Sequence, residues 1–200
     1  NSVGDRIAIG AYGNDGNGTD AGQVRVYALS SGSWSQLGGD IDGEAANDRS
    51  GYSVSMNAVG DRVVIGAYQN GGNGTKSGHV RVYQYSSGSW TQLGSDINGE
   101  ASGDEFGWSV AMNDAGDRIA VGGHENDGSA SRAGHARVYS YNGSAWVQLG
   151  ADIDGEGVND RFGRTISLNA AGDRVAIGTG ENDGTANNAG HVRVLSLIHI

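Results

Sequence analysis

The sequence predicts an all-β protein assembled from copies of one four-stranded antiparallel unit, and three observations predict it. The 200 residues include 37 glycines and no proline or cysteine, and short Val/Ile/Tyr runs alternate with Gly, Ser, Asn and Asp clusters. That is the composition of many short strands joined by turns. Next, Asn1, Asn57, Asn113 and Asn169 open the aligned segments NSVGDRIAIG, NAVGDRVVIG, NDAGDRIAVG and NAAGDRVAIG, spaced 56 residues apart without a gap. Finally, bulky and small side chains alternate with period two, which excludes helical repeats.

One copy shows why each element is expected. FGWSVAM (106–112) reads as the first strand, with Phe106, Trp108, Val110 and Met112 on one face and Gly107, Ser109 and Ala111 on the other. The segment NDAG suits a type I turn closed by a left-handed glycine and leads into DRIAVGG (117–123). A longer loop, HENDGSASRA, leads to GHARVYSY (134–141), and NGSA turns the chain into WVQLGADI (146–153). Sheets with one bulky and one small-residue face stack blade upon blade, so the expected architecture is a partial β-propeller of four-stranded antiparallel blades on a 56-residue repeat. Residues 1–194 divide into 1–56, 57–112, 113–168 and the partial copy 169–194. The pattern opens on the second strand of a blade and stops in the third strand of another, so the open blade ends are expected to self-associate. Residues 195–200 (LSLIHI) abandon the repeat, with Leu195 where Tyr27, Tyr83 and Tyr139 stood. They read as the translation of a transposase-type sequencing adapter and carry no functional weight.

The pairs Phe106-Gly107 and Phe162-Gly163, the following SV or TI strand, the IAIGA-type strand and GHVRVY together resemble FG-GAP repeat proteins, the group that includes the integrin α-subunit propeller. Two departures are visible: Ser50-Gly51-Tyr52 replaces Phe-Gly in one copy, and the GAP proline is missing at Gly10-Ala11-Tyr12 and Gly66-Ala67-Tyr68. A kelch-like propeller is the runner-up, since Tyr27/Trp34, Tyr83/Trp90 and Tyr139/Trp146 keep kelch-like spacing, but only Gly122-Gly123 supplies the double glycine. The resemblance implies an extracellular or cell-surface protein, of the secreted bacterial type.

The acidic run after the fourth strand is the candidate metal site, with calcium as the ion. Asp40, Asp42, Glu44 and Asp48 recur as Asp96, Asn98, Glu100 and Asp104, and as Asp152, Asp154, Glu156 and Asp160. Oxygen ligands on alternate loop residues are what calcium uses. The competing expectation is that these carboxylates cap loops and pair with arginines. The family's own calcium loop lies between the first two strands, where this chain has only NAVG, NDAG or NAAG, so that site does not carry over. Arg25, Arg81, Arg137 and Arg193 are expected to pack their stems between blades and bond a loop acid. Arg6, Arg62, Arg118 and Arg174 read as solvated edge charges. His79, His135 and His191 occur once per blade, Gln23 replaces the fourth, and equivalent atoms of neighbouring blades lie too far apart to share zinc. His124 has no counterpart and reads as a loop residue. Trp34, Trp90 and Trp146 offer a sugar-stacking platform, but fit blade packing better, with Trp90 and Trp146 largely buried.

A formal net charge of −10 leaves no basic stripe for nucleic acid, and no apolar run is long enough to insert in a membrane. No nucleophile–base pair or phosphate loop breaks the repetition, so catalysis is not expected. The expected function is adhesion or recognition of a protein or glycan through the variable loops NDGNGTD, NGGNGTK, NDGSASR and NDGTANN. A propeller belonging to a secreted polysaccharide-acting enzyme and a purely structural spacer are the alternatives.

Overall fold

The computed structural model describes residues 1–184 and 186–196; residues 197–200, within the segment that leaves the repeat, lie outside the described residues. Four antiparallel sheets follow one another along the chain. The first holds β1 (Arg6–Ala11), β2 (Gln23–Ser30), β3 (Ser33–Gln36) and β4 (Ile41–Asp42). The second holds β5 (Ser53–Met56), β6 (Arg62–Ala67), β7 (His79–Ser86), β8 (Ser89–Gln92) and β9 (Ile97–Asn98). The third holds β10 (Phe106–Met112), β11 (Arg118–Gly123), β12 (His135–Tyr141), β13 (Trp146–Gln148) and β14 (Ile153–Asp154). The fourth holds β15 (Thr165–Leu168), β16 (Arg174–Thr179) and β17 (His191–Ser196), so the strand continues through Leu195. No helix occurs among the described residues, and none is long and apolar enough to cross a membrane.

The first three strands of the third sheet lie where the sequence puts them. The fourth is broken. Trp146–Gln148 and Ile153–Asp154 both pair with β12, and after Leu149, whose N–H still donates to the Val138 carbonyl, the chain leaves the ladder until Ile153. The reason lies in Gly38, Gly94 and Gly150, which take φ of +77°, +82° and +70°. A Cβ on Gly38 would stand 2.9 Å from Trp90 Cδ1 of the next blade, so the chain turns where that indole needs room.

The hairpin between the first two strands is built by its asparagine. Asn57 Oδ1 accepts from the backbone N–H groups of Gly60, Asp61 and Arg62, while its Nδ2 donates to Asp61. Gly60, Gly116 and Gly172 close these turns at φ +80°, +71° and +68°. Adjacent hairpins are then linked, Ala58 N donating to Asp114 O and Asp114 N to Ala170 O.

Blades meet by close backbone approach. A Cβ on Gly66 would lie 2.1 Å from the Gly107 carbonyl oxygen, and one on Gly122 would lie 2.0 Å from that of Gly163. Parallel bridges join Gly22 to Ser50, Gly78 to Phe106 and Gly134 to Phe162. Valines and isoleucines fill the interfaces: Val24, Val26 and Ile41 meet Val63 and Ile65, and the next cluster includes Val80, Val82, Phe106, Ile119 and Val121.

Candidate functional site

Each acidic run divides its residues among separate tasks. Asp48 accepts from Ala45 N, Asp104 from Glu100 N and Ala101 N, and Asp160 from Glu156 N and Gly157 N, so the last acid of each run caps its own loop. Asp48 and Asp160 also hold Asn70 and Asn182 of the following blade. Asp40 and Asp152 pair bidentately with Arg25 and Arg137, while Asp96 takes a hydrogen bond from Gln92. Asp42 accepts from Gln23, and Asn98 and Asp154 stand opposite His79 and His135 in the ladder. Glu44, Glu100 and Glu156 reach Arg81, Arg137 and Arg193 of the next blade.

Of the third-strand arginines, Arg25 bonds the acid of its own blade, while Arg81, Arg137 and Arg193 therefore bridge blades. The hairpin arginines do too, which corrects their reading as solvated edge charges. Nη1 of Arg6, Arg62 and Arg118 donates to the carbonyl of Gly60, Gly116 and Gly172 in the neighbouring hairpin. Only Arg174 of this set is exposed.

His79 and His135 fall in separate clusters, and each meets two of the candidate acids. Donor atoms of Glu44, His79 and Asp96, and of Glu100, His135 and Asp152, lie within 4.8 Å of one another, the glutamate coming from the connection before the blade. Burial, with Arg81 beside it, pushes His79 down to about 4, so its ring is neutral. The His135 ring and the Arg137 guanidinium hold the Asp152 carboxyl well below the usual carboxylate range.

A second group was missed by reading the copies for their sameness. Gly107 adopts φ +88° at a register break between Phe106 and Ser109, and a Cβ there would meet the His79 carbonyl at 2.5 Å. This bulge carries Trp108 away from the face shared by Phe106, Val110 and Met112. Its ring instead sits 4.6 Å from Tyr52, 4.9 Å from Tyr68 and 4.1 Å from His124. Tyr12 continues the series, 5.4 Å from Tyr52 and with the Arg49 guanidinium 5.9 Å from its ring. His124 lies in the turn just past β11, as a loop residue, but it is buried, at 4 % exposure. It lies 3.8 Å from Glu105 and 3.5 Å from Glu125. Burial, with Arg164 and Arg161 nearby, outweighs those acids and pushes its pKa down to about 3. Desolvation raises Glu105. Arg161 ties Glu125 to Glu181, which also takes Arg164.

All these residues stand at the same places in the repeat, beside the first strand or just past the second. The signal for them was present in the sequence. Tyr12, Tyr68, His124 and Gly180 are one aligned position, and Tyr52, Trp108 and Arg164 another. The repetition is broken here, in one connected patch.

Of the outer-strand tryptophans, Trp90 and Trp146 pack between blades, though partly and not largely buried, while Trp34 is exposed. Trp90 Nε1 donates to the Leu37 carbonyl at 2.7 Å and Trp146 Nε1 to the Leu93 carbonyl at 2.8 Å.

With this geometry in hand, comparison with known proteins adds a family match over part of the chain. Residues 41–83 and 98–139 match the family model described as FG-GAP repeat. Those two segments carry FG-GAP repeats. No curated protein matches it. Among solved structures, a chain of Kuenenia stuttgartiensis hydrazine synthase, a protein containing a β-propeller, is similar with a TM-score of 0.54 and 10 % identity. The similarity covers 88 % of this chain and 40 % of that one, so this chain spans well under two thirds of its length. At that identity the likeness is one of fold alone. The FG-GAP repeats here thus form propeller blades whose matched segments include the acidic runs from Ile41 and Asn98.

Proposed function

We propose that this propeller is an extracellular recognition module that binds a protein or glycan ligand at the patch around Tyr52 and Trp108 and does no chemistry on it. The observation that carries this reading is the convergence of the non-repeating residues. A scaffold of near-identical blades keeps its backbone fixed while the varied side chains change what is presented. Tyr12 is 47 % exposed at the open end of the aromatic series. Charges of both signs border it, Arg49 on one side and Arg164 with Glu181 on the other. Aromatic faces rimmed by charge suit a sugar ring or a polar peptide better than a lipid surface.

The test is retention of the chain on immobilised neutral glycans, charged glycans and peptides. One class is expected to retain it, with Tyr52→Ala and Trp108→Ala each weakening retention by tenfold or more. Trp34→Ala, on the outer strand, is expected to change nothing. Retention lost with Trp34→Ala but kept by Tyr52→Ala and Trp108→Ala would move the ligand to the outer strands and overturn the proposal.

One observation favours the second reading, a propeller within a polysaccharide-acting enzyme. A buried neutral His124 beside Glu105, whose pKa is raised, is a pairing that acid–base chemistry uses. The Trp108 ring lies over that imidazole at 4.1 Å, which supports binding over catalysis. Release of reducing ends from a retained glycan would reverse that preference.

A further inference from the structure

We infer that a divalent transition-metal ion of the zinc class binds between adjacent blades, at Glu44–His79–Asp96 and again at Glu100–His135–Asp152. Each triad joins three parts of the chain: the connection leaving one blade, the third strand of the next, and the acid before that blade's last short strand. One imidazole and two carboxylates form a borderline donor set suited to zinc or manganese, and a poor one for calcium, which takes six or more oxygens.

The independent observation is His135. Its side chain is fully buried, yet neither ring nitrogen has a hydrogen-bond partner. Nδ1 faces the carboxylates, 3.6 Å from Asp152 Oδ2, too far for a hydrogen bond. Buried imidazole nitrogens are ordinarily satisfied, and an ion 2.0–2.2 Å from Nδ1 and both carboxylates would satisfy this one. Contrast the first blade, where Gln23 occupies the aligned position. Its Nε2 donates to Asp40 at 2.9 Å and to Asp42 at 2.8 Å, so glutamine satisfies the acids directly and leaves no gap to fill.

The arginines do not exclude the ion, because each carboxylate has lone pairs to spare for a guanidinium outside the metal shell. They do set an order. Arg81 touches Glu44 and the Asp42 carbonyl, leaving Asp96 with Gln92 alone. Arg137 holds both Glu100 and Asp152. The His79 site is therefore the tighter of the two.

Zinc titration of the full chain, by calorimetry and by thermal unfolding, tests this. The expected result is two saturable sites per chain and an unfolding midpoint raised by roughly 3–6 °C at 0.1 mM zinc, reversed by chelator. Cobalt should give a visible d–d band. His79→Gln should remove the tighter phase, and the double variant with His135→Gln both phases and the cobalt band. Gln23 is the precedent that glutamine folds at this position. Should either variant fail to fold, Glu44→Gln and Glu100→Gln, whose side chains are 43 % and 49 % exposed, carry the same test. No saturable binding by the parent chain, or binding undiminished in these variants, would overturn the proposal. Calcium at millimolar concentration raising the midpoint as zinc does would overturn it as well.

Discussion

The interface between the first and second sheets differs from that between the second and third in the side chain at its central bridge, and yet the backbone crosses in the same way. Ser50 bridges Gly22 in the first, and Phe106 bridges Gly78 in the second. Both are buried to 1 % exposure or less. Both are followed by a left-handed glycine, Gly51 at φ +84° and Gly107 at +88°. Cβ atoms on Gly10 and Gly66 would run into the Gly51 and Gly107 carbonyls at 1.9 and 2.1 Å. The glycine crossing therefore sets the blade geometry, and the aromatic ring fills the space that geometry leaves. A family motif named for its Phe-Gly pair depends here more on the glycine than on the phenylalanine.

The largest expected effect separates the two interfaces directly. Phe106→Ala removes a fully buried ring packed against Val80, Val82 and Tyr139, and should destabilise by about 3–5 kcal/mol. Ser50→Ala removes only a hydroxyl and should cost under about 1 kcal/mol. Urea midpoints of the two variants give the comparison. Equal losses would mean that the Ser50 interface hides a hydrogen-bond network of its own.

The pattern of what the sequence revealed follows from the same division. Strands, hairpin asparagines and turn glycines were legible because each depends on residues within a few positions of itself. Asn57 needs only Gly60, Asp61 and Arg62 to form its turn. Contacts 54 residues apart, such as Arg62 to Gly116, were not legible, since the receiving atom is a backbone carbonyl that carries no sequence signature. The split outer strand escaped for a like reason: Gly38 turns to clear Trp90, a residue of the following blade. In the candidate site, the acids and histidines were each visible, but not their union across the interface. The aromatic patch was hidden by the Gly107 bulge, which moves Trp108 off the face that simple alternation assigns it.

A smaller effect sharpens the contrast between His124 and Tyr68, which occupy the same place in two copies. His124 is held neutral, its pKa down at about 3 against an ordinary value of 6.5. Its surroundings are Glu105 and Glu125 on one side and Arg161 and Arg164 on the other, with the Trp108 ring over it. The unfolded chain takes up the proton first as pH falls. The contribution is complete above about pH 6.5 and is lost progressively towards pH 3, amounting to about 3 kcal/mol between pH 7 and pH 4. His124→Tyr copies Tyr68 and should flatten the difference in unfolding free energy across that range by this amount. An identical pH profile in parent and variant would show that His124 takes up its proton as readily in the fold as in the unfolded chain, against the burial argument.

The smallest effect concerns the tryptophans and depends on whether a blade precedes them. Trp146 and Trp34 occupy aligned positions in their outer strands, each beginning the same W-x-QLG segment. Trp146 has a sheet before it, and its indole N–H donates to the Leu93 carbonyl at 2.8 Å across the interface. Trp34 has no such acceptor among the described residues and is 45 % exposed. Phenylalanine keeps most of the apolar contact but cannot donate, so the Leu93 carbonyl would lose its partner on a partly wet surface. Trp146→Phe should therefore cost about 1 kcal/mol, the usual net worth of such a hydrogen bond. Trp34→Phe should cost nothing measurable. A difference of that size is resolved by chemical denaturation of the two variants side by side. If both lose stability equally, the indole bond adds nothing beyond ring packing. If neither does, the tryptophan segment holds its strand by the backbone ladder alone, through Tyr139 opposite Gln148 and Tyr141 opposite Trp146.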